Sequence, residues 1–113
     1  MPHPMDQAPR ATFTVLLHPP IATPGRTRRW SAHCLELNLG VSAGTAPAVR
    51  MRLASSVAAQ IALGPLGPRR EVDPALWHVA RDAALVTVQT VETEAGPVAI
   101  RYLRPSFDAV ALP

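Results

Sequence analysis

Trp30-Ser-Ala-His-Cys-Leu-Glu-Leu-Asn-Leu-Gly-Val-Ser-Ala-Gly-Thr45 is the stretch whose reading decides the fold. Trp30, Ala32 and Cys34 alternate with Ser31 and His33, the period of a half-buried strand. Leu37, Leu39 and Val41 carry the same period on to Ala43. A bend or bulge is expected across Asn38-Leu39-Gly40, where glycine relaxes the backbone. The pattern then changes. From Thr45 to Leu63 apolar residues recur at every fourth position, at Val49, Leu53, Val57 and Ile61, flanked by Ala54, Ala58 and Ala62. That is one continuous helical stripe, and its small alanines let a helix lie close to a sheet. Thr45 reads as the N-cap, because its hydroxyl can accept from an unpaired backbone N–H. Pro47 fits the first turn, where its missing donor costs nothing. Gly64-Pro65 reads as the stop.

Working outward, Phe13, Val15 and Leu17 alternate with Thr12 and Thr14 and predict a strand over Thr12–Leu17, ended by Pro19-Pro20. Asp73-Pro74 reads as a cap followed by a first-turn proline. It opens a short helix over Pro74–Ala83 that presents Leu76, Trp77 and Ala80 inward. Leu85–Glu92 and Val98–Leu103 read as two strands joined through Thr93–Pro97 as a hairpin. Val98, Ile100 and Tyr102 alternate with Ala99, Arg101 and Leu103, so the second face is not cleanly polar. A free edge here could pair with another subunit, and Arg101 is expected to blunt it. The order is β-β-β-α-(α)-β-β. It predicts an α+β domain, an antiparallel sheet with one long helix packed on one face. Residues 12–104 form that single domain, residues 1–11 a flexible Pro-rich leader and residues 105–113 a tail.

The chain has 113 residues, which fits one small domain. Of these 48% are apolar, but nineteen are alanine and five are Phe, Trp or Tyr, so Val, Leu and Ala must build the core. No apolar run approaches the roughly 18 residues of a membrane-spanning helix. The single cysteine excludes a disulfide within the chain and a Cys-rich zinc site. Without an apolar signal region in the leader, a cytoplasmic location is expected. The net charge is +3, and all eleven basic residues are arginine. Arginine forks onto phosphate or carboxylate, so an anionic partner is one reading of this bias. High-GC codon usage is the plainer one, and +3 is modest.

The residues give little support for catalysis. Cys34 lacks a placed base, since neighbouring His33 points to the opposite strand face. It shares its own face with Trp30 and Ala32, as a buried cysteine does. His33 and Glu36 are three apart and fall on opposite faces, which disfavours a metal site. Glu36, Glu71, Asp73 and Asp82 are too dispersed for two-metal chemistry. There is no phosphate-binding Gly-x-x-x-x-Gly-Lys loop and no Gly-x-Ser-x-Gly elbow. The expectation is a non-enzymatic protein without cofactor or metal. Arg26, Arg28 and Arg29 beside Trp30 make the best candidate contact for nucleic acid, arginine for phosphate and an aromatic for stacking. Arg101 joins them as a candidate contact on the last strand. Against this, Trp30 is in phase with the core-facing Ala32 and Cys34.

Trp30, Ala32, Cys34, Glu36 and Leu37, the Gly44-Thr45 turn and the Val49–Ile61 helix together resemble the HicB-like antitoxin family. Phe13–Leu17 fits that family's first strand, and the likeness covers residues 12–63. The family pattern usually places Glu in a capping box at the helix start, where this chain has Ala48. Arg50 and Arg52 also stand near the positive helix end, which is mildly unfavourable. The resemblance implies a module that neutralises a small RNA-cleaving toxin of the HicA type by steric occlusion, as part of a toxin–antitoxin system. The expected binding surfaces are the sheet face opposite the helix and the free edge strand. Many members add a C-terminal DNA-binding motif. Only ten residues follow Leu103, so no operator binding is expected of this chain. A homo-oligomer is expected and a membrane partner is not. The alternative is a small RNA-binding or regulatory protein that works through the Arg26–Trp30 segment.

Overall fold

A computed structural model describes residues 11–20, 29–63 and 72–105. Five strands and two helices follow in the order β1 (Thr12–His18), β2 (Trp30–Cys34), β3 (Leu39–Ala43), α1 (Ala46–Ala62), α2 (Pro74–Asp82), β4 (Ala84–Thr93) and β5 (Gly96–Arg104). The strands form one sheet in the order β3-β2-β1-β5-β4. The fold is α+β, and the sheet is mixed. β1–β2, β2–β3 and β4–β5 pair antiparallel, while β1 and β5 run parallel. The parallel pair departs from the all-antiparallel expectation for a physical reason. Val98, Ala99, Ile100 and Leu103 of β5 are all buried, so β5 is apolar on both faces and takes an interior place. The more polar β4 is left at the edge.

The local signals act where the residues place them. Thr45 caps α1, its hydroxyl accepting from the Ala48 N–H at 3.2 Å. Asp73 caps α2 by accepting from the Ala75 N–H at 3.0 Å. The expected stop at Gly64-Pro65 lies outside the described residues. The bend before β3 is made by Asn38, whose φ of 47° is left-handed and tolerable for an Asn. Gly40 instead pairs in register with His33, so no bulge forms there. A bulge occurs in β4, where Val86 is skipped between Leu85 and Thr87. The β4–β5 hairpin turns through Glu94-Ala95, and Gly96 takes the positive φ of 107° that such a turn demands.

Each face of the sheet carries a helix. α1 presses Val49, Leu53, Ala54 and Val57 onto Phe13, Val15, Leu17, Ala32, Cys34, Val98, Ile100 and Tyr102. Tyr102, wholly buried, spans this core, with its hydroxyl 3.1 Å from the Arg50 carbonyl and 2.9 Å from Gln89 Oε1. The opposite face, expected to be open, is partly closed by α2. Leu76, Val79, Ala80 and Ala83 cover Leu16, Leu35 and Leu103 there. Leu103 is therefore apolar because it is covered. Trp77 does not turn inward as expected; it is 39% exposed. No described helix is long and apolar enough to cross a membrane.

Candidate functional site

Of the five candidate contact residues, Arg26 and Arg28 lie outside the described residues, and the structure places Arg101 away from Arg29 and Trp30. Arg29 is exposed at the head of β2, and its Nη2 donates to the Ser42 carbonyl at 3.5 Å. Trp30 packs against the α1-side core, which leaves its ring a poor stacking platform. Arg101 sits on the other face, in the interior strand β5, paired across to Val88 and Thr14. Being interior, it cannot blunt the sheet edge as expected; that edge belongs to β4.

Arg101 instead borders a surface that the sequence reading missed. Thr14, Trp77, Arg81, Leu85, Arg101 and Leu103 line a shallow cleft of about 440 Å³ between α2 and the sheet. Cross-strand pairing puts Leu85 beside Leu103 and Val88 beside Arg101, so both project on the α2 side. Leu85 is 53% and Val88 50% exposed. Trp77 and Arg81 are one helical turn apart and share a face. The result is an apolar strip of Trp77, Leu85 and Val88 flanked by two exposed guanidinium groups. Arg81 also stands in the last turn of α2, where a cation meets the negative helix end. Two signals for this strip are present in the sequence: the Trp77–Arg81 spacing, and a Leu85-Val86-Val88 run that is apolar on both faces of a strand.

Glu36, Cys34 and His33 are engaged in holding the fold. The Glu36 carboxylate accepts from the Thr14 backbone N–H at 2.7 Å and from the Cys34 thiol at 3.9 Å. It thereby extends the β1–β2 ladder past the last residue of β2. Cys34 is buried. His33 Nε2 lies 2.7 Å from Asn38 Oδ1, which fixes the turn into β3. His33 and Glu36 thus have separate partners. Burial lowers the pKa of His18, and nearby His33 lowers it further. Burial raises Tyr102 to about 12. Among the described residues no three His, Cys, Asp or Glu side chains come together as a metal site. A second open groove, of about 690 Å³, runs between α1 and β4 past Met51, Ser55, Thr87 and Val91.

Comparison with protein-family models, with curated proteins and with solved structures finds no match for this chain.

Proposed function

We propose that this chain is a non-enzymatic protein-binding module, an antitoxin of the HicB-like kind that neutralises a small RNA-cleaving toxin by covering its active site. The strip formed by Trp77, Leu85 and Val88 carries this reading. An exposed tryptophan and two flanking arginines are residue types enriched at protein-interface hot spots, and two exposed aliphatic side chains extend the apolar surface beside them. Large apolar side chains left on a surface together mark a binding surface more often than isolated ones do. The strand, turn and capped-helix sequence from Trp30 to Ile61 supports the family reading from the other half of the domain. The RNA-binding alternative gains less from the geometry, because Trp30 packs into the core and Arg29 is tied to Ser42.

The test is affinity purification of the tagged chain from its native cells at moderate salt. A stoichiometric small protein whose RNA cleavage stops on mixing with the purified chain is the expected result. Trp77→Ala should weaken that complex by about 30-fold, the effect of removing a hot-spot residue worth about 2 kcal/mol. RNA that co-purifies and washes off steeply with salt would overturn the proposal in favour of phosphate binding.

A further inference from the structure

The outer edge of β4 is the widest open backbone surface among the described residues. β4 runs for ten residues, pairs on one side with β5, and has no described strand on its other side. It contains no proline and no lysine, and no charged residue before Glu92. Of the usual means of blunting an edge it has one, the bulge at Val86 near its start, and the run from Thr87 to Thr93 pairs without a break. The groove between α1 and β4 continues this edge upward, with Met51 on its far wall 69% exposed.

We infer that this edge pairs with the same edge of a second copy, β4 against β4 antiparallel, to make one continuous ten-stranded sheet. An antiparallel pair of identical strands is related by a two-fold axis perpendicular to the sheet, and such a contact is self-complementary. The size suits a dimer. Ten residues at ~3.3 Å each give an edge of ~33 Å, and the sheet together with the α1 layer that flanks β4 is ~20 Å deep, so each copy covers on the order of 650 Å². A standard interface needs about 800 Å² per partner, so this contact falls at the small end, where weak and reversible associations lie. The assembly also closes. The other sheet edge, β3, has five residues, and its Ser42 carbonyl is occupied by Arg52 at 3.0 Å and Arg29 at 3.5 Å. Pairing therefore stops at two copies. The axis keeps both Trp77–Val88 strips on one face of the joined sheet. This inference does not rest on the antitoxin reading.

The experiment is sedimentation of the full chain from about 1 to 300 µM, with amide hydrogen exchange of β4 at both ends of that range. A concentration-dependent dimer is expected, with slower exchange at the β4 amides that β5 leaves unbonded. Thr87 and Thr90 are both exposed and project on opposite faces. The double variant Thr87→Lys, Thr90→Lys should weaken the dimer at least tenfold by placing charge along the edge. Met51→Glu, on α1 and outside the sheet, should weaken it through the groove, and circular dichroism confirms that each variant is folded. A monomer at every concentration overturns the inference. So does a dimer that neither variant changes. A monomer with protected β4 amides also overturns it, since a segment of the same chain would then hold the edge.

Discussion

The two edges of this sheet are handled in opposite ways. β3 is short, lies under α1, and has its Ser42 carbonyl taken by arginines from β2's head and from α1. β4 is twice as long and exposes Leu85, Val86 and Val88. The β3 end is thus closed by contacts within the chain, whereas among the described residues no strand pairs with the outer side of β4, which also exposes apolar surface. Burial and exposed apolar surface are accordingly concentrated at different ends of one sheet. The α1-side core buries residues of β1, β2, α1 and β5, while β4 contributes only half-buried Val91 to it.

The largest test of this division is a pair of leucines. Leu53 is wholly buried under α1, and Leu53→Ala should cost about 3 kcal/mol through lost burial and the cavity left behind. Leu85→Ala, on the exposed edge, should stay within about 0.5 kcal/mol. Urea unfolding at low protein concentration measures both. Similar losses would break the comparison, because they would mean that Leu85 is covered in solution.

Much of this division was legible from local signals, and the rest depends on distant partners. Thr45 and Asp73 announce helix starts because a cap bonds residues two or three positions away. β2 begins and ends where the alternation from Trp30 to Cys34 does. The parallel pairing of β1 with β5 had no such signal. It depends on which strand of the last hairpin is apolar on both faces, and so on α2 covering Leu103. Trp77 was expected inward for a similar reason. Leu76, Val79 and Ala80 compete with it for the sheet, and only the docking position of α2 decides among them. Arg29 and Trp30 are adjacent in sequence, but what each touches depends on distant partners, the Ser42 carbonyl for Arg29 and the α1-side core for Trp30.

Tyr102 links the two ends and gives an intermediate effect. Its hydroxyl has one proton between the Arg50 carbonyl of α1 and the Gln89 side chain of β4. Tyr102→Phe leaves both groups short of a partner and should cost about 1–2 kcal/mol. The alkaline limb gives an independent readout. The folded-state pKa is raised from 10.0 to about 12, so the neutral phenol is favoured by folding. That contribution is fully present below pH 10 and is lost as pH rises from 10 to about 12. The Phe variant should lose this part of the alkaline dependence. If the two proteins keep parallel profiles through that window, Tyr102 is more hydrated than its burial implies.

The smallest effect on stability is expected at Arg52, and it bears most directly on why the two edges differ. Arg52 is the seventh residue of α1, past the first turn in which the helix dipole acts. Its side-chain hydrogen bond runs outside the helix, from Nη1 to the Ser42 carbonyl. Arg52 is exposed, so Arg52→Ala should change stability by no more than about 0.5 kcal/mol. The consequence for assembly should be larger. With Arg52 gone, only the longer Arg29 contact covers that carbonyl, and β3 becomes a second usable edge. Sedimentation of the variant should then show species beyond the dimer at high concentration, as an open-ended contact generates. If the variant stops at the dimer, then the five-residue length of β3 is what closes that edge, and the arginine serves only to hold α1 against it.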